Sequence, residues 1–158
     1  MNKSYYNSTI KEFLERDEQS ILGALTSSEN IFDITPKSST AWVSEIKTMK
    51  KSLKDIDGYI HFEFIIPRMG KRVDILLVIK NIIFIIEFKV GSDEYDNASI
   101  TQVTDYALDI KNFHEGTHDK VVCPILVSTD ADLLPPSPLK AERVQPAHHE
   151  TEAQSECQ

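Results

Sequence analysis

Tyr59-Ile60-His61-Phe62-Glu63-Phe64-Ile65-Ile66, Pro67-Arg68-Met69-Gly70-Lys71, Arg72-Val73-Asp74-Ile75-Leu76-Leu77-Val78-Ile79, Lys80-Asn81 and Ile82-Ile83-Phe84-Ile85-Ile86-Glu87-Phe88-Lys89 form the continuous stretch whose reading decides the fold. It divides into three apolar strands joined by two turns. Strands this rich in Ile, Val and Phe are buried on at least one face. Asp74, Glu87 and Lys89 interrupt them, and an ionisable group in such a place is costly unless it is paired or holds a metal.

Register follows from the second turn. If the hairpin loop is even and centred on Lys80-Asn81, opposed residue numbers sum to 161, which sets Asp74 across from Glu87 and Arg72 across from Lys89. Opposed residues share a face, and so do residues two apart along a strand. The expectation is therefore one face carrying Asp74, Glu87 and Lys89 together. A loop of odd length would shift the pairing by one and separate the two carboxylates.

Outward from this stretch, Ala41 to Lys54 reads as a helix capped by Thr40, with Trp42, Ile46, Met49 and Leu53 on one stripe and Lys47, Lys50, Lys51 and Lys54 on another side. Glu45 lies on the flank of the apolar stripe away from the lysines. Its plainer reading is an ordinary boundary residue. On the other side, Gly91 to Asn97 is an acidic loop and Ala98 to His114 a second helix, with Ile100, Val103, Ala107, Leu108 and Ile110 apolar. Gln102, Tyr106 and Asp109 form a polar stripe at helical spacing, either a solvated face or a ligand-holding one. Gly116 to Lys120 is a turn. Val121 to Ser128 is a buried-type strand that joins the sheet in parallel through the preceding helix.

The flanks carry less information. Ser8 to Leu25 has helical spacing in Ile10, Phe13, Leu14, Ile21, Leu22 and Leu25, with Ser8 or Thr9 as cap, and Ser27 to Thr40 reads as a connection. From Asp130 the chain turns to Pro135-Pro136-Ser137-Pro138 and then to polar residues, which predicts disorder. The adjacent His148 and His149 in that tail are weak evidence for a metal site. Cys123 sits in an apolar run and Cys157 in the polar tail, so neither a structural disulfide nor a zinc site is expected. There is no apolar run of membrane-spanning length, and Met1-Asn2-Lys3-Ser4-Tyr5-Tyr6 lacks a signal-peptide core, so the expected location is the cytoplasm. No Gly-rich phosphate loop or serine or cysteine nucleophile signature is present.

The length of 158 residues suits one domain. Its expected organisation is an N-terminal helix and connection over 1–40, a core over 41–129 and a tail over 130–158. The expected fold class is α/β, with a mixed four-stranded sheet made of a three-stranded antiparallel meander and one parallel strand, flanked by helices. A net charge of −8 argues against a nucleic-acid partner, because backbone binding rests on basic surface. The distribution softens this. Ala41 to Lys89 holds nine Lys or Arg against six Asp or Glu, leaving eight against nineteen elsewhere, a net of −11.

Two carboxylates converging from adjacent strands suit a hard cation such as Mg²⁺, which takes oxygen ligands, keeps several waters and is commonly shared with substrate phosphates. A lysine on the same face can orient water or stabilise charge on a phosphate. The competing reading is a structural ion pair of Asp74 or Glu87 with Lys89 or Arg72.

Arg72-Val73-Asp74 and Glu87-Phe88-Lys89, preceded by a helix with Glu45 and followed by one with Gln102 and Tyr106, resemble the PD-(D/E)xK nuclease superfamily, and the Gln and Tyr resemble its RecB-type branch. Phe62 to Arg72, Asp105 to Asp109 and Asn112-Phe113-His114 resemble the N-terminal domain of bacterial proteins in which a nuclease-like domain precedes a superfamily 1 helicase-like region. The resemblance spans about Ala41 to Thr129 and implies a restriction-endonuclease-like core. It implies Asp74, Glu87 and Glu45 as ligands of Mg²⁺ or Mn²⁺, Lys89 as the catalytic lysine, and Gln102 and Tyr106 as positioning residues. The implied partner is nucleic acid, DNA before RNA, with a helicase-like partner or missing helicase domain. Val73 stands where the superfamily has Pro, and the tail after Thr129 leaves the pattern, as in a shortened relative. The alternative expectation is a nuclease-fold module that no longer cuts and binds nucleic acid or protein.

Overall fold

A computed structural model describes residues 4–29, 39–66, 69–113, 115–117 and 119–132. Pro67-Arg68, most of the connection before Ser39, and the tail from residue 133 with His148, His149 and Cys157 lie outside the described residues.

The elements in order are β1 (Tyr6–Thr9), α1 (Ile10–Glu15), α2 (Glu18–Glu29), α3 (Ser39–Ser52), β2 (Tyr59–Ile65), β3 (Arg72–Ile79), β4 (Ile82–Lys89), α4 (Asn97–Phe113), a 3₁₀ turn (Glu115–Thr117) and β5 (Val121–Ser128). The strands form one mixed sheet in the order β1-β2-β3-β4-β5, antiparallel except for the parallel pair β4 and β5. The α/β class, the meander and the parallel strand match the sequence reading. The strand count does not, because a fifth strand, β1, pairs with β2 through Tyr6–Phe62, Asn7–His61, Ser8–Ile60 and Thr9–Tyr59.

The helix expected over Ser8 to Leu25 is thus a strand and two helices, and capping explains the divisions. Thr9 closes β1 and also caps α1: its Oγ1 accepts from Glu12 N at 3.2 Å while Glu12 Oε2 accepts from Thr9 N at 2.9 Å. The Thr9 hydroxyl, which donates to Glu12 Oε2 at 2.7 Å, and then the Thr9 amide hold the Glu12 carboxyl below its ordinary range. Arg16 is extended and ends α1; Asp17 then restarts the chain as a helix by accepting from Ser20 N at 2.9 Å. Lys50 of α3 closes the other end of α1, donating to the carbonyls of Phe13, Leu14 and Arg16.

Both faces of the sheet are covered. On the first, α1, α2, α3 and the turn after α3 bury Ile10, Phe13, Ile21, Leu25, Trp42, Ile46, Met49 and Leu53 against Ile60, Phe62, Ile75, Leu77, Ile86 and Phe88. On the second, α4 buries Val103, Ala107 and Ile110 against Phe64, Ile66, Val73, Leu76, Ile83 and Ile85. Burial on two sides is why these strands read as nearly unbroken apolar runs. Gly58 enters β2 where a Cβ would lie 2.3 Å from the Val78 carbonyl oxygen, so the close approach of the two chains requires glycine. Among the described residues no helix is long and apolar enough to cross a membrane.

Candidate active site at the fork of β3 and β4

The β3–β4 ladder runs from Ile79–Ile82 to Ile75–Ile86, and every pair sums to 161. The even loop at Lys80-Asn81 is therefore the one present. Beyond Ile75–Ile86 the ladder stops, and Asp74 Oδ2 accepts a 2.7 Å hydrogen bond from Phe88 N. A side-chain oxygen stands where regular pairing would put a carbonyl. Asp74 accordingly points edgewise into the gap between the strands, and this corrects the expectation that it stands upright on one face beside Glu87.

The cause lies one strand away. The β2–β3 pairs sum to 137 on both sides of Glu63 and Asp74, but that pair itself is missing from the ladder. Glu63 has φ of +54°, a left-handed conformation that costs a non-glycine residue about 1–2 kcal/mol. The alternation of faces is reset there: Phe62 and Ile75 belong to the first core, Phe64 and Val73 to the second.

Glu63 is fully buried and held by two groups, one of them steadied by a third. Trp42 Nε1 donates to Glu63 Oε1 at 2.7 Å, and Arg72 Nε pairs with Glu63 Oε2. Arg72 Nη1 also donates to Tyr5 OH at 2.7 Å, with the guanidinium over the Tyr5 ring. Arg72 thus sits on the α3 side. The sequence reading, which set it opposite Lys89, missed this because the reset at Glu63 and Asp74 reverses the faces before Arg72 is reached.

Glu87 and Lys89 do share a face, the one under α4. Lys89 Nζ lies 3.3 Å from Glu87 Oε1 and donates to Gln102 Oε1 at 2.9 Å, while Gln102 Nε2 donates to Glu87 Oε1 at 3.1 Å and to Tyr106 OH at 2.9 Å. The four side chains form one network with Gln102 at its centre. Lys89 is fixed through its main chain as well, its carbonyl accepting from Ser92 N and Thr129 N. Asp96 caps α4 by accepting from Ser99 N at 2.8 Å, which fixes where the helix starts and so which residue faces Lys89.

Beside this network an open groove of about 600 Å³ is lined by Lys71, Asn97, Thr101, Gln102, Asp105 and Tyr106. Lys71 was read as part of a turn; it reaches across to α4, donates to Asp109 at 3.0 Å and lies over the Tyr106 ring. The Asp109 hydrogen bond raises the Lys71 ammonium above its ordinary value. Glu45 is fully buried on α3, the helix of the first face. Among the described residues no group of three or more His, Cys, Asp or Glu is placed to hold a metal ion. Asp74 is tied to β4 next to Glu87 through the Phe88 amide, and carboxylate oxygens are the ligands that hard cations take.

No protein-family model, curated protein or solved structure matches this chain.

Proposed function

We propose that the chain is a metal-dependent nuclease with a restriction-endonuclease-like core, hydrolysing phosphodiester bonds of nucleic acid and of DNA in particular. One observation supports this above the others. At the point where β3 and β4 part, Asp74 is turned into the gap against Phe88 N while Glu87 and Lys89 are tied together by Gln102 at the edge of an open groove.

Asp74 and Glu87 would hold Mg²⁺ or Mn²⁺, which polarises a phosphoryl oxygen and lowers the pKa of a bound water. Asp74 is oriented by the Phe88 amide, so its carboxylate is preorganised. Gln102 presents its amide oxygen to Lys89 and its amide N–H to Glu87, which keeps the ammonium and carboxylate side by side. Lys89 can then orient the attacking water or stabilise the negative charge on phosphorus oxygens. Tyr106 holds Gln102 from the far side and, with Lys71, lines the groove where a backbone would lie.

The test is cleavage of linear duplex and single-stranded DNA with Mg²⁺ or Mn²⁺, comparing the wild type with Glu87→Ala and Lys89→Ala. Loss of at least 100-fold in both variants is expected. Equal cleavage by all three proteins would identify a contaminant and remove the proposal.

A second reading is favoured by one contact. The 3.3 Å Lys89–Glu87 ion pair already compensates charge at the fork without a metal, as a non-cutting binding module would have it. That module would bind DNA or a protein equally with and without divalent cation, and Lys89→Ala would leave binding unchanged.

A further inference from the structure

We infer that Glu63 is a positioning residue for Asp74: its left-handed backbone, held in place by Trp42 and Arg72 on the α3 side, sets the geometry of the fork. The inference deepens the nuclease reading and rests on it where metal binding is concerned.

Three observations carry it. Glu63 is the residue that a regular β2–β3 ladder would set opposite Asp74, and that pair alone is missing between Phe62–Ile75 and Phe64–Val73. Its backbone is left-handed, which glutamate does not adopt by preference. Its carboxylate is fully buried and fixed by the Trp42 indole N–H and the Arg72 guanidinium, two groups from different elements that over-determine the strained conformation. If residue 63 relaxed to ordinary β geometry, alternation would run unbroken through β3. Asp74 would then lose the Phe88 amide that orients its carboxylate.

Strain held by a buried clamp next to a candidate ligand is a device for preorganisation. The effect of Glu63 on chemistry passes through the backbone and Asp74.

The experiment uses the full chain and compares Glu63→Val with Glu63→Gly. Valine resists the left-handed conformation; glycine enters it without penalty. The first readout is amide hydrogen exchange at Phe88, with Ile86, the last regular ladder position, as internal reference. The second is the affinity for Mn²⁺ alone. A positioning role predicts that Glu63→Val loses tenfold or more of Phe88 protection relative to Ile86, and tenfold or more of Mn²⁺ affinity, while Glu63→Gly keeps both within threefold of wild type. A packing role predicts the reverse order, since glycine removes more volume than valine, and that order would overturn the inference. Should Glu63→Val not fold, Glu63→Ala replaces it: alanine also pays for the left-handed conformation and differs from glycine by a single methyl group. A threefold or greater loss at Phe88 then supports the inference, and unchanged protection overturns it. If the wild type binds no Mn²⁺ while Phe88 still follows the predicted order, the nuclease reading falls and the control of Asp74 by Glu63 stands.

Discussion

Two ion-pair networks flank the same sheet, and they are built from the same kinds of parts. Under α3, Glu63 meets Arg72, with Trp42 and Tyr5 as neutral partners; under α4, Glu87 meets Lys89, with Gln102 and Tyr106. They differ in access. The side chains of the first are 13% and 1% exposed, those of the second 28% and 7%, and the second borders a groove. Arginine, whose planar fork is locked by several partners at once, suits the sealed network. Lysine, a compact charge on a flexible stem, suits the one where a charge has to act on something else. On the proposed function one network is scaffold, and the other is equipment.

The strongest way to break this contrast is Arg72→Met. It strips the cation from a buried carboxylate and is expected to cost about 3–5 kcal/mol, because an uncompensated buried charge remains. Urea denaturation reads it as a lowered midpoint; a loss under about 1 kcal/mol would mean that the clamp is not sealed. Trp42→Phe keeps a ring and removes only the indole donor to Glu63, for about 1.5–3 kcal/mol as a hydrogen bond to a charged group. Lys89→Met should cost less than Arg72→Met, about 1–2 kcal/mol, since the buried Glu87 keeps the Gln102 amide as a partner when the ammonium is gone. In the same variant DNA cleavage is expected to collapse. Stability and activity should thus respond in opposite order across the two networks, and parallel responses would dissolve the distinction.

The smallest effect is set by pH. Burial lowers the His61 imidazole below its ordinary 6.5, in an apolar pocket of about 400 Å³ shared with Phe64, Leu76 and Val78. Between the lowered value and 6.5 the unfolded chain binds more protons than the folded one. The contribution of His61 is therefore complete above pH 6.5 and is lost as the pH falls through that window. Denaturation midpoints at pH 7.5, 6.5 and 5.5 should decline less in His61→Leu than in the wild type.

How far the sequence disclosed all this depended on whether the deciding contacts were local. The bounds of β3 and β4 and the register between them were legible, because an even turn at Lys80-Asn81 fixes both strands across two residues. The face shared by Glu87 and Lys89 followed from alternation within one strand. Alternation misled at Asp74 and Arg72, because it assumes a regular backbone, whereas the left-handed Glu63 is imposed by Trp42, 21 residues earlier, and by Arg72. A signal was present: an acid between two aromatic residues, Phe62 and Phe64, in a strand that is otherwise buried. The strand at Tyr6 was illegible for a related reason. Its four residues carry no pattern of their own, and Thr9 serves both as strand end and as helix cap, so the helical spacing that follows absorbed it.

That first strand has a bearing on any attempt to work with a smaller piece. A fragment beginning at Ala41 would strip the outer neighbour from β2 and leave its amides and carbonyls open to pairing with another molecule. It would also lose Tyr5, the hydroxyl that steadies Arg72. Such a fragment would keep Asp74, Glu87, Lys89, Gln102 and Tyr106 and the groove beside them, and would still be the wrong object on which to judge what they do.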